Sequence, residues 1–144
     1  MADSTTADIT INATPAEVMA VIADLPAYPE WSDGVKSVDV LTSYEDGRPE
    51  TARLTVDAGV IKDTYDLAYT WDGDHVCAWK LTQGSVIKTN DGTYTLDEVG
   101  GGTKVTYNLK VDVSIPMLGM MKRKAEKAIV DTALKGLKKR VEQG

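Results

Sequence analysis

A change of period constrains this chain more than any other feature. Over residues 35–113 apolar and polar residues alternate every second position. After Pro116 the remaining 28 residues contain no further proline and repeat their apolar positions at helical spacing. The alternation is cleanest in "GTKVTYNLKVDV", where Val105, Tyr107, Leu109, Val111 and Val113 share one face. Lys104, Thr106, Asn108, Lys110 and Asp112 share the other, the pattern of a strand with one buried side. The same reading turns Ala52, Leu54, Val56 and Ala58 inward on an earlier strand, and Tyr65, Leu67, Tyr69 and Trp71 inward on the next. Turn signals at "EDGRP", "AG", "WDGD", "QG" and "VGGG" cut the run into an antiparallel meander. In "SVIKTNDGTYTL" the triplet Asn90-Asp91-Gly92 fits either a bulge within one long strand or a turn between two.

Ahead of the meander, "STTADITINA" reads as a strand and "TPAEVMAVIADL" as a helix. Thr14 is its N-cap, Pro15 its first residue and Glu17 the partner of a capping box. Val18, Val21, Ile22 and Leu25 form its apolar face, and Pro26 ends it. A short helical or turn segment, "AYPEWSDG", follows. At the other end Leu118, Met121, Ala125, Ala128, Ile129, Thr132, Ala133, Leu137 and Val141 mark a wide stripe on a helix of roughly 40 Å. Such a stripe must lie against an apolar surface, and the inner face of the sheet is the one large enough. The expected class is therefore α+β, a curved antiparallel sheet wrapped around a C-terminal helix.

Length and composition agree with one domain over residues 1–144: 42% of the chain is hydrophobic and its net charge is -6. No apolar run approaches the roughly 20 residues that span a bilayer. The N-terminus has neither the basic start nor the apolar stretch of a signal peptide, so a cytoplasmic location is expected. The one cysteine, Cys77, rules out an intrachain disulfide and a Cys-rich zinc site. Residues 117–144 hold eight Lys and Arg against three acids, whereas the rest holds eight against nineteen. An acidic body argues against sequence-independent nucleic-acid binding, which needs a basic surface to displace counterions. The basic tail leaves a membrane-surface or protein contact open.

The stretch "ITINATPAEVMAVIADLPAYPEWSDGVKSVDVL", the later "GTYTLDEVGGGTKVTYNLKVDV" and the terminal helix together resemble the polyketide cyclase/dehydrase group of the START-like (SRPBCC, Bet v 1-like) superfamily. The most specific part is Ala13-Thr14-Pro15 followed by Tyr28-Pro29-Glu30-Trp31 and Gly34-Val35, with Gly102-Thr103 in support. The resemblance implies a helix-grip fold: a seven-stranded sheet, two short helices between strands one and two, and a cavity between the sheet and the long helix. Relatives hold lipids, sterols, polyketides or other apolar molecules there. The small residues Ala125, Ala128 and Ala133 agree, because they leave unfilled the space beneath a helix on a curved sheet. Met117, Met120 and Met121 read either as an adaptable gate at one end of that space or as plain core filler. The expected ligand-binding set is Trp31, Leu54, Val56, Tyr65, Leu67, Tyr69, Trp79, Tyr94, Tyr107, Leu109, Met117, Met121, Ala125 and Ala128. No cofactor and no metal are implied. With no Phe in the chain, every aromatic residue has a polar tip, which suits a ligand bearing a few oxygens.

Candidates for chemistry are few. His75 and Cys77 lie two apart in "HVCAW" and could face inward together, against the alternative of a solvated His and a buried structural Cys. Asp63 shares the face of Tyr65, Leu67 and Tyr69. It could orient a ligand or act as a base with Tyr65 or Tyr107 as proton donors, unless it stands at a strand end open to water. Three functions are implied by the resemblance: a carrier or binder of a small hydrophobic or lipid-like molecule, a cyclase/dehydrase-type enzyme, or, as for some similar small START-like proteins, the toxin of a toxin-antitoxin pair. The last would act through Lys122, Arg123, Lys124, Lys127, Lys135, Lys138, Lys139 and Arg140 on an acidic partner or an anionic membrane. Those same cations are equally the solvated outer face of an amphipathic helix.

Overall fold

The structure, a computed structural model, describes residues 4–32, 34–58, 61–114 and 119–143. Strand β1 (Thr5–Ile11) leads into α1 (Pro15–Ala23), a 3-10 turn (Leu25–Ala27) and the short α2 (Tyr28–Trp31). Six strands follow: β2 (Val35–Ser43), β3 (Pro49–Ala58), β4 (Ile61–Asp72), β5 (Val76–Gln83), β6 (Ile87–Val99) and β7 (Gly102–Val113). The chain closes with α3 (Gly119–Gln143). All seven strands form one antiparallel sheet in the order β1-β7-β6-β5-β4-β3-β2. The meander runs β2 to β7 in sequence, and β1 returns to the free edge of β7. This is the helix-grip arrangement, with the short helices between strands one and two.

The local signals act as the sequence indicates. Thr14 Oγ1 accepts the Glu17 N–H at 3.2 Å, and Glu17 Oε1 accepts the Thr14 N–H at 3.2 Å, a complete capping box at the start of α1. Ala52, Leu54, Tyr65, Leu67, Tyr69, Val105, Tyr107, Leu109 and Val111 all turn inward and are buried. Thr103, fully buried, donates its hydroxyl to the Ala13 carbonyl at 2.7 Å and ties the start of β7 to the entry of α1.

The Asn90-Asp91-Gly92 triplet lies inside one continuous strand, paired with β7 on one side. The irregularity falls earlier, between Ile87 and Thr89, and it explains the change of parity along β6. Ile87 points inward before it, and Asn90, Tyr94 and Leu96 do so after it.

Helix α3 is seated off-centre. It packs chiefly on β1 and β7, with α1 and α2 at its C-terminal half. Its buried line is Glu126, Val130, Ala133, Leu134 and Leu137; Ala133 and Leu137 belong to the stripe expected from sequence, whereas Glu126, Val130 and Leu134 do not. Ala128 and Thr132, also of that stripe, are accessible because they face the space beneath the helix, Met121 is 50% exposed, and Leu118 lies outside the described residues. The difference has a physical cause in Glu126. Its Oε1 accepts the Thr5 hydroxyl of β1 at 3.0 Å and its Oε2 accepts the Val111 N–H of β7 at 2.8 Å. A carboxylate with both oxygens hydrogen-bonded can occupy a buried position that hydropathy would assign to solvent.

On the outer side of α3, Lys122 pairs with Asp112, Lys127 with Asp131, Lys138 with Glu142 and Arg140 with Glu30. Such exposed pairs add little to stability, because water and salt screen them. No helix among the described residues is long and apolar enough to cross a membrane.

Candidate functional site

Because α3 covers the β1–β7 side, the inner face of β3 to β6 curves away from it and leaves a cavity of about 590 Å³. The sheet contributes Leu54 and Val56 from β3, Tyr65, Leu67 and Tyr69 from β4 and Trp79 from β5. Ile87, Asn90 and Tyr94 follow from β6, and Tyr107, Leu109 and Val111 from β7. Ala125, Ala128, Ile129, Thr132 and Ala133 of α3 form the opposite wall. At the solvent end stand Trp31, Ser32, Gly34, Val35 and Asp57, where the Asp57 N–H donates to the Gly34 carbonyl at 2.7 Å. Twelve of the fourteen residues expected from sequence are in this lining. Met121 does not reach it, since its position on α3 turns it to solvent. Met117 lies outside the described residues, so the methionine gate finds no support from the one methionine of that group whose side chain is described.

The sheet wall is an aromatic cluster. Trp79 stands 6.0 Å from Tyr69, 5.4 Å from Tyr94 and 5.7 Å from Tyr107 between ring centroids, and Tyr94 and Tyr107 are 4.6 Å apart. Such pairs add about 0.5–1.5 kcal/mol each beyond area burial. Gly92 makes the arrangement possible: a Cβ there would run into the Trp79 ring, which lies directly over the β6 backbone. The Trp79 indole N–H donates to Asn90 Oδ1 at 3.1 Å, and Asn90 also hydrogen-bonds the Tyr65 hydroxyl. Asn90 was absent from the expected lining. Reading β6 as one strand would have placed it on the face of Tyr94.

The phenols differ in their partners. Tyr28 donates to the Ile22 carbonyl at 2.5 Å. The hydroxyls of Tyr69, Tyr94 and Tyr107 have no protein partner among the described residues, and they open onto the cavity. Burial pushes the ionisation of Tyr65, Tyr69, Tyr94 and Tyr107 above the ordinary tyrosine range, reinforced by Asp63 at Tyr65 and by one another elsewhere. Each is a neutral hydrogen-bonding group at physiological pH.

Trp31 packs edge-on to Tyr28, with ring centroids 4.9 Å apart, and presses on α3 at Gly136. A side chain at Gly136 would strike the Trp31 carbonyl, so this glycine lets α2 sit close enough to help close the cavity. The Trp31 indole N–H is buried without a partner among the described residues.

Asp63, a candidate base in the sequence reading, has another task. Its Oδ1 accepts the Thr64 N–H at 2.9 Å, and its Oδ2 accepts the N–H groups of Ser85, Val86 and Ile87 at 3.1, 3.0 and 2.9 Å. Through these four N–H groups the carboxylate organises the turn between β5 and β6. Asp63→Ala should therefore lower the free energy of unfolding by about 2–4 kcal/mol in urea titrations. A loss below about 1 kcal/mol would show that the turn holds itself.

His75 precedes β5, with its ring exposed and its Nδ1 2.7 Å from the Leu96 carbonyl oxygen. Cys77 is fully buried, and burial raises its thiol ionisation well above the usual value. The two do not form an inward pair.

A curved sheet gripping one long helix, with a lined space between them, defines the START-like class. The chain belongs to the polyketide cyclase/dehydrase and lipid transport family, whose model matches residues 2–142. Among solved structures it is similar to a START superfamily protein from Mycobacterium smegmatis, at 25% identity and a TM-score of 0.90, with 97% of each chain covered. The Zhui aromatase/cyclase from a Streptomyces shares the fold at 15% identity and a TM-score of 0.81, with 99% of this chain and 95% of that one covered. A Thermus thermophilus protein aligns at 25% identity and a TM-score of 0.82, with 98% of each chain covered. A search of curated proteins gives no match.

Proposed function

We propose that this protein binds or carries a small, largely apolar molecule in the space between the sheet and α3. One observation carries the reading: a space of about 590 Å³, walled by buried apolar and aromatic side chains, remains open where close packing would otherwise fill it. Burial of the ligand's apolar surface drives binding. The family description, which names lipid transport beside cyclase and dehydrase activity, supports a ligand-holding role.

The enzymatic reading draws on the same description and is weaker here. Asp63 is occupied by four backbone N–H groups, and burial favours the protonated phenols of Tyr65 and Tyr107, which makes them weaker acids than an ordinary tyrosine. Titration of the purified protein with N-phenyl-1-naphthylamine should give saturable fluorescence enhancement at one probe per chain. Native mass spectrometry of the same sample should show a low-mass guest or its loss on organic extraction. Absence of both signals would overturn the proposal.

A further inference from the structure

We propose that the cavity selects uncharged ligands carrying hydrogen-bonding oxygens, and discriminates against carboxylates of the same shape. This rests on the ligand-holding role proposed above and specifies what is held. The first observation is charge. Among the described residues the lining contains no Lys, Arg or His, and the residues outside that description contain none either. Among the described residues the one charged member of the lining is Asp57, an exposed acid, whose neighbour Lys62 stands 3.9 Å away and is itself exposed. An entering anion thus meets a carboxylate that is already balanced, and deeper in it meets no counter-charge. Transfer of an uncompensated carboxylate into such a space is strongly unfavourable.

The second observation is the set of unpartnered hydroxyls. Tyr69, Tyr94 and Tyr107 are each more than nine-tenths buried, and their hydroxyls open onto the cavity without protein partners among the described residues. A pure hydrocarbon would leave all three unpaired when it displaces water, whereas a carbonyl, ester or hydroxyl oxygen would pair with them. Neutral dipoles suffice for a neutral oxygen but do not replace the hydration of an ion.

Three probes of nearly equal shape test this: methyl 2-naphthoate, 2-naphthoate and 2-sec-butylnaphthalene, each displacing N-phenyl-1-naphthylamine at pH 7.5. The ester should bind at least tenfold more tightly than the carboxylate in the unmodified protein, a comparison that needs no variant. In Tyr69→Phe, Tyr94→Phe and Tyr107→Phe, at least one variant should lose about fivefold in ester affinity with hydrocarbon affinity unchanged. Equal affinity for ester and carboxylate overturns the charge selection, and ester affinity unmoved in all three variants overturns the role of the hydroxyls. Failure of N-phenyl-1-naphthylamine and of all three probes to bind would instead remove the ligand-holding role, and this inference with it.

Discussion

Ala125→Trp should abolish probe binding, with the dissociation constant of N-phenyl-1-naphthylamine rising at least about 100-fold, while the protein stays folded. Ala125 lies on the α3 wall of the cavity and is half-buried, so an indole placed there projects into existing space rather than into close-packed core. The free energy of unfolding should change by less than about 1 kcal/mol, because no native contact is displaced and some apolar surface is newly covered. Lys124→Trp, one position away on the exposed side of the same helix, serves as the control and should bind the probe normally. Undiminished binding in Ala125→Trp would place the probe somewhere other than this cavity.

The second large effect is a cooperative loss of the fold in alkali. Five of the six tyrosines have ionisation raised by burial: Tyr28, Tyr65, Tyr69, Tyr94 and Tyr107. Their folded values lie above the unfolded value near 10, so between the two the native state holds protons that the unfolded chain has released. Stability from this source is complete below about pH 10 and falls as pH rises toward the folded values. Each such group removes about 1.4 kcal/mol per pH unit in that window. Five together exhaust the roughly 5–15 kcal/mol stability of an ordinary domain within one or two units. The tyrosinate absorbance of the five buried phenols at 295 nm should rise in one steep step near pH 11–12, coincident with loss of far-ultraviolet circular dichroism. Smooth titration of these five groups near pH 10, with the fold retained, would show that the cavity admits hydroxide freely.

How much of this was legible beforehand follows from which physical signals are local. The period of two along β7 and the Thr14-Pro15-Glu17 cap depend on neighbours in sequence and read correctly. So do the inward faces of β3 and β4, and with them most of the cavity wall. What escaped depends on partners far away in the chain. Glu126 looks like solvent-facing charge until Thr5 and the Val111 N–H are brought to it, so the sequence places only Ala133 and Leu137 of the buried line of α3 and assigns Met121 to a cavity it does not touch. Asp63 resembled a catalytic acid because alternation set it beside two inward tyrosines. Its occupants are the Thr64 N–H and three N–H groups of a turn more than twenty residues away. Gly92 reads as a turn signal, yet its role is to leave room for a ring on the adjacent strand.

Glu126 also sets how the molecule can adapt to a guest. One carboxylate bolts the long helix to two adjacent strands through opposite oxygens, and Leu134 and Leu137 bed the next turns in the core. The helix is therefore the stationary jaw of the grip. Accommodation of guests of different girth falls to the facing jaw, the outlying strands β2 to β4 and the short α2. On the ligand-holding role proposed above, their rearrangement, rather than any swing of the rod, should set the rate of loading and release.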